Sequence, residues 1–375
     1  MTTAALVALC LLVYTYVGYP LMVALLAKVA PLDSRVDDQW SPLVTACIPV
    51  FNAERYLPAK LESLLALDWP RDQLEILVLS DGSSDGSDAI AQDYARRFPA
   101  IVRHLRSEVR LGKPSAVNRM RAEARGEVLL MTDVRQPLVP SALRALVRRL
   151  ADERVACVSG NLTLPDSAGA GVYWKYENWI RRSEARFRSM LGVTGPIYVI
   201  RTRDLAPLPL DIILDDMWIP LRLRLEGRRL LFAEEAVAWD EAFGDEREFG
   251  RKVRTLAGNY QLFARLPSLL VPIVNPSWLE VMSHKLMRLV CPWVLAVCLL
   301  TSLCASSPLS AVAIAPSPVW LMRALALGQL FVYLLAALGP RAGRQGVVYR
   351  TFVVLNAAAV VGLWRWLRGT QKVTW

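Results

Sequence analysis

The sequence predicts an α/β domain built on a doubly wound mixed sheet and flanked by membrane-crossing helices. Three observations predict it. Short apolar runs alternate with helical patterns from Leu43 to Ile200, as in βαβ units. One run, Leu74–Leu79, breaks off at the carboxylate- and glycine-rich turn Ser80–Ser87, where open α/β sheets bind ligands. Finally, 54% of the 375 residues are hydrophobic and the mean hydropathy is +0.30, which is high for a soluble protein.

In chain order, Ala4–Ala27 is uncharged and long enough to cross a bilayer as a helix. Its length and the lack of a preceding basic residue set it apart from a cleaved signal peptide. Lys28 and Arg35 follow it, which places the next segment in the cytoplasm. After the polar connector Pro31–Pro42, Leu43–Val50 reads as a buried strand ending at Phe51-Asn52-Ala53-Glu54. A helix over Pro58–Leu67 leads to the strand at Leu74–Leu79, and a second helix starts near Ser87. Ile101–Leu105 is a further strand. Pro114 fits the first position of the next helix and Gly126 the position just past its end. Val128–Met131 is a strand running into Thr132-Asp133. A helix near Pro140–Leu150 and strands at Val155–Ser159 and Ile197–Ile200 extend the sheet.

Between those last two strands, Val172–Met190 reads as a helix that mixes Tyr173, Trp174, Tyr176 and Trp179 with arginines. That mixture suits a membrane interface, and a buried core helix equally well. Leu269–Met282 reads as interfacial, and Leu286–Ala305, Leu321–Leu338 and Val347–Trp364 are candidate spans. Four spans in all would leave the tail outside, whereas Arg365, Arg368 and Lys372 favour the inside, so one C-terminal segment reads as re-entrant or interfacial. The expected division is an N-terminal transmembrane helix over 1–30, a catalytic domain over 40–268, an interfacial segment over 269–285 and C-terminal transmembrane helices over 286–367.

The net charge of +10 comes without a nucleic-acid-binding motif. Anionic headgroups and a phosphorylated substrate account for it. Six cysteines without metal-ligand spacing read as reduced structural thiols.

The chemistry sits in the acids. Asp81 and Asp85 are acceptors suited to ribose hydroxyls or a base N–H. Asp81 and Asp133 each end a strand, so both reach one edge of the sheet. Asp215-Asp216 open a helix, where they serve either as helix-end anions or as catalytic groups. A metal-binding Asp with a separate Asp base is what direct displacement at a sugar carbon requires.

In this order the motifs resemble a membrane-bound family 2 glycosyltransferase with a GT-A catalytic domain, the group that holds cellulose, hyaluronan and poly-N-acetylglucosamine synthases. The matching pieces are Ile48-Pro49-Val50-Phe51-Asn52, Ser80–Gly86, Gly112–Asn118, Thr132-Asp133, Thr194-Gly195, Asp215-Asp216 and Arg251–Arg254. The resemblance implies a Rossmann-like fold and an inverting transfer from a nucleotide-diphosphate sugar, most simply UDP-linked, to a glycan or lipid-linked acceptor. It implies that Pro49, Phe51, Asn52 and Asp81 line the nucleotide pocket, that Lys113 approaches phosphate, and that Asp133 begins the DxD motif and binds Mg2+ or Mn2+. Asp216, beside Asp215, matches the catalytic base. Arg251 and Arg254 fall in the QxxRW region that holds diphosphate, with Thr194, Gly195 and Trp218 on the acceptor side. Two motifs depart from the pattern: DxD reads Asp133-Val134-Arg135, and QxxRW reads Arg251-Lys252-Val253-Arg254-Thr255.

The expected location is the inner (plasma) membrane, multi-pass, with a cytoplasmic catalytic domain. Expected partners are the donor, membrane lipids and the acceptor, with no nucleic acid; export or polymerisation proteins are further candidates. Transfer to polyprenyl phosphate, or a non-catalytic nucleotide-sugar-binding subunit of an export complex, are the alternative readings.

Overall fold

A computed structural model describes residues 1–163, 170–240, 245–306 and 319–373. Its centre is a seven-stranded sheet in the order β3-β2-β1-β4-β6-β5-β7. The strands are β1 (Val44–Val50), β2 (Leu74–Asp81), β3 (Val102–Ser107), β4 (Val128–Met131), β5 (Val155–Thr163), β6 (Tyr198–Arg201) and β7 (Arg229–Trp239). β3, β2, β1 and β4 run parallel, and β6 runs antiparallel to both β4 and β5. The sheet is therefore mixed, as the sequence predicts. β1 and β2 are buried along their whole length, which is why they read as unbroken apolar runs.

Helices α2 (Leu57–Leu65), α3 (Ser87–Arg97) and α5 (Ala142–Leu150) cover one face. α4 (Lys113–Glu123), α6 (Ala170–Phe187), α7 (Asp215–Leu225) and α8 (Asp245–Arg265) contribute to the other. Alternation along β1 divides the strand between them: Val44, Ala46, Ile48 and Val50 enter the first core and Cys47 the second. Leu57, Leu61 and Leu64 of α2 are fully buried. Each contributes on the order of 2 kcal/mol through burial.

Two elements are absent from the sequence reading. β7 is the longest strand, but Glu234 and Glu235 interrupt its apolar pattern at an exposed stretch. α8 begins in a charged segment and carries Gly250 and Gly258, which mask its periodicity.

Three helical stretches are long and apolar enough to cross a membrane: Thr2–Val29, Trp278–Ala305 and Val319–Leu367. The first is α1 and the second α9. The third bends at Gly339 (φ 54°) and Gly343 (φ 66°) into α10 (Val319–Leu338) and α11 (Gly343–Leu367). α11 contains the expected span Val347–Trp364, yet it packs along α8. Ala358 and Ala359 are buried, and a Cβ on Gly362 would lie 2.9 Å from the Ala257 amide. The chain beyond α11 also returns to the α/β domain, where the Val373 carbonyl accepts from Arg254. The proposed interfacial segment ends inside α9, since Trp278–Ala305 is continuous helix.

α6 is a packed helix. Its buried Glu184 accepts from the Tyr19 hydroxyl at 2.6 Å and meets His284 Nδ1 at 2.7 Å. Glu177 holds His284 Nε2 at 3.3 Å and pairs with Arg288. α6 thus ties α1 and α9 to the sheet through buried, paired charges.

Candidate active site

The carboxyl ends of β1, β2 and β4 open on one edge. After β1, Asn52 takes a left-handed conformation (φ 45°) that asparagine tolerates better than most residues. Its Oδ1 accepts from the Ser84 amide at 2.8 Å, and its own amide donates to Ser83 Oγ at 3.2 Å. Asp85 accepts from the amides of Glu54 and Ser87, so its carboxylate secures the turn. Pro49 lies within β1 opposite Leu79, one layer beneath the opening.

Asp81 is 1% exposed, and its two oxygens accept from the amides of Leu111 and Gly112 at 2.9 and 2.8 Å. It anchors the loop that crosses the pocket. Gly82 permits this approach: at φ 71°, a Cβ there would lie 2.7 Å from the Arg110 amide. Arg110 returns over the Phe51 ring at 3.7 Å, so one face of Phe51 is covered by a cation.

Gly112 (φ 89°) turns the chain into α4 and points Lys113 inward. Its ammonium lies 3.1 Å from Asp133 Oδ1 and 3.3 Å from Asp215 Oδ2. Burial opposes that charge, yet Asp133, Asp215 and Asp216 hold it well above the ordinary lysine range. Burial would also lift Asp133, but Lys113, Lys60 and Arg251 hold its carboxyl below the usual range.

Asp215 and Asp216 lie in the first turn of α7, whose N-cap is Leu214 with no side-chain cap bond. They are therefore not capping residues. Burial, and then the charge of Asp215, push Asp216 up to about 6. Gly195 faces it closely, since a Cβ there would sit 3.4 Å from Asp216 Oδ2. Thr194 is buried next to it. Arg254 donates to the Ile213 and Val373 carbonyls at 3.0 and 3.2 Å, with its Nε buried and unpartnered. Arg251 is exposed, close enough to Asp133 to lower its carboxyl.

Trp218, expected on the acceptor side, is 7% exposed and packs in the core with Leu205 and Leu208. Two residues along a helix turn the side chain by about 200°, so Trp218 faces away from Asp216. Trp239, 49% exposed, offers an aromatic face beside Asp240 instead.

Three contributors escaped the sequence reading. Lys60 is fully buried, and its ammonium donates to Thr132 Oγ1 at 2.5 Å and the Gln136 carbonyl at 2.6 Å, fixing the turn that carries Asp133. Burial pushes it down to about 7 against the pull of Asp133. A lysine on the apolar stripe Leu57, Leu61, Leu64 was the available signal. Tyr198 is fully buried with an unpartnered hydroxyl, and burial, then the charge of Asp215, raise it well above the ordinary tyrosine range. Asp240, at the end of β7, accepts from Arg135 at 2.6 Å and from Gln136 Nε2 at 3.0 Å. The arginine in the second DxD position is thus held by a buried carboxylate from across the sheet.

Among the described residues no group of three or more His, Cys, Asp or Glu is arranged to hold a metal ion. Asp133 and Asp215 nevertheless converge on one cation position, at which the Lys113 ammonium sits, and Asp215 Oδ2 is buried without a hydrogen-bond partner. That fits a divalent ion held by one or two carboxylates and shared with substrate phosphates, the usual magnesium mode.

A family model described as glycosyl transferase family 2 matches residues 45–204. Over 130 residues the chain is 30% identical to a probable glycosyltransferase, YdaM, of Bacillus subtilis, covering 34% of this chain and 31% of that protein. Over 221 residues it is 27% identical to an N-acetylglucosaminyltransferase of Rhizobium sp., covering 55% and 48%. The chain thus spans between a third and a half of these curated relatives. A solved structure, the mannosyltransferase PcManGT from Pyrobaculum calidifontis in complex with GDP-Man and Mn2+, superposes with a TM-score of 0.75 at 22% identity, covering 97% of this chain and 99% of that one. Residues 45–204 of this chain are a glycosyl transferase family 2 domain, built on a GT-A fold and carried with three helical stretches able to cross a membrane.

Proposed function

We propose that this chain is an inverting glycosyltransferase that moves a sugar from a nucleoside diphosphate sugar to a hydroxyl of a glycan or lipid-linked acceptor at a membrane face. The observation that carries the reading is the convergence of Asp133 and Asp215 on Lys113, with a raised Asp216 one residue further on. A carboxyl that titrates near 6 is a usable general base at neutral pH. Asp216 takes the proton from the acceptor hydroxyl. The oxygen attacks the anomeric carbon of the donor, and the bond to the diphosphate breaks with its electron pair leaving on the phosphate. Lys113, Arg251 and Arg254 supply positive charge for that leaving group. Asp133, with Asp215, would hold the divalent ion that PcManGT carries as Mn2+; the ion would neutralise the same diphosphate. Phe51 and the loop anchored by Asp81 form the walls for the nucleotide. The N-acetylglucosaminyltransferase relative of Rhizobium sp. and the GDP-Man in PcManGT support a nucleotide-sugar donor.

Candidate crossings by α1, α9 and α10, with α11 packed along α8, support a tail on the same side of the membrane as the catalytic domain. Lys28 and Arg35, which follow α1, support a cytoplasmic side for that domain. The test is Asp216→Asn in the full-length protein with a panel of nucleotide sugars and membrane lipid extract. Donor affinity stays near wild type and turnover falls about a hundredfold or more. Wild-type turnover in that variant would remove Asp216 from the role, and no nucleoside diphosphate release from any donor would overturn the transferase reading.

A further inference from the structure

Lys113 stands between the two acids that the site offers to a divalent ion. Its ammonium donates to Asp133 Oδ1 at 3.1 Å and pairs with Asp215 Oδ2 at 3.3 Å. The side chains of Lys113, Asp133 and Asp215 are 16%, 34% and 8% exposed, so water and salt screen these charges weakly. The two contacts differ. Asp133 takes a hydrogen bond, whereas Asp215 Oδ2 is buried and takes none. The ammonium thus fills the cation position without fully satisfying it.

The lysine is fixed at its root and adjustable at its tip. The Gly112 amide donates to the buried Asp81, and Gly112 itself takes φ 89°, which sets where α4 begins. Beyond that point the flexible four-carbon stem lets the ammonium leave the acids while the loop stays in place. A magnesium-sized ion bonded to both acids at about 2.0–2.1 Å would press against an ammonium that holds the same oxygens. The two cations therefore compete for one pair of acids. Away from them the ammonium needs another anion, since an uncompensated charge in a sheltered site is costly. A diphosphate has oxygens for both: it shares the ion with the acids and receives the ammonium directly.

We propose that Lys113 is a resident counter-ion for Asp133 and Asp215, which a divalent ion displaces only when a nucleoside diphosphate is there to receive the ammonium. Lys113 keeps the ion out of the donor-free site and hands the acids over once the donor arrives. Ion and diphosphate then load as a coupled pair, each tightening the other by the same factor. The inference rests on the transferase reading above and specifies how its site is loaded.

The experiment titrates the full chain, in phosphatidylcholine nanodiscs, with Mn2+ alone and follows binding by electron paramagnetic resonance. Without nucleotide, Lys113→Gln binds Mn2+ at least tenfold tighter than wild type, whereas Lys113→Arg, which keeps the charge, stays within threefold of wild type. Adding Asp133→Asn to the glutamine variant abolishes the gain, which places the ion at this site. Saturating UDP or GDP tightens Mn2+ binding to wild type tenfold or more. Circular dichroism and the thermal midpoint show that each variant is folded, and the wild-type comparison with and without nucleotide needs no variant. Wild type binding Mn2+ as tightly without nucleotide as with it overturns the proposal. So does a folded Lys113→Gln protein that binds Mn2+ no tighter than wild type, or one whose gain survives Asp133→Asn. The transferase reading fails separately, on absence of nucleoside diphosphate release from any donor, because Mn2+ binding by the donor-free chain needs no turnover.

Discussion

At the residue scale, the unusual positions are those where a charge is held by a partner from a distant strand. Asp216 titrates near 6 because burial and Asp215 both disfavour its ionised form. A general base works deprotonated, so kcat/KM is expected to rise with unit slope as pH increases through about 6 and to level above it. A flat profile between pH 5 and 7.5 would separate Asp216 from the rate. Arg135 offers a second test, because the DxD pattern suggests that Arg135→Asp would repair the motif. The structure argues the reverse. That change removes the cation from the 5%-exposed Asp240 and adds a third acid near Asp133. Breaking a buried pair in this way costs about 3–5 kcal/mol, so the variant's thermal midpoint should drop and its metal-dependent activity should not rise. A more active, equally stable Arg135→Asp protein would refute the structural role of the pair.

At the element scale, α8 links the site to the membrane side. Gly258 lies under Leu214, where a Cβ would come 2.4 Å from Cγ, and Leu214 precedes Asp215. On the opposite side, Gly362 of α11 lets the two helices touch backbone to backbone. Gly362→Leu therefore wedges α11 away from α8 and, through the Val373 contact, loosens Arg254. Overpacking of this kind costs about 1–3 kcal/mol. The expected result is faster proteolysis near residue 343 together with a weaker affinity for donor. Unchanged cleavage and unchanged donor affinity would show that α11 docking is independent of the site.

At the scale of the whole molecule, three helical stretches among the described residues are able to cross a membrane, which leaves little wall for a long-glycan conduit within one copy of the chain. Two of their polar residues are engaged within the protein: Ser302 bonds the Cys298 carbonyl and Gln329 the Leu295 carbonyl. The resemblance would put an acceptor-sugar platform at the tryptophan of QxxRW; this chain has Thr255 there, and Trp218 lies in the core. Labelled donor in excess should yield a short lipid-extractable product of one or a few sugars. A ladder of long, alkali-stable polymer from this protein alone would contradict that.

The sequence alone determined the parts that depend on local pattern. β1, β2 and β4 are read from apolar runs because they are buried on both faces, and α4 from Pro114 because proline suits a helix start. Asp81, Asp133 and Asp215-Asp216 are legible because each ends a strand or opens a helix. Only the tertiary structure decided which charges meet. Lys113 bridges Asp133 and Asp215, Asp240 crosses the sheet to Arg135, Lys60 rises from beneath Thr132, and Arg288 of α9 meets Glu177 of α6. Periodicity fixes the face on which a side chain lies, but a pairing between residues a hundred positions apart depends on sheet order and helix packing, which no local pattern encodes.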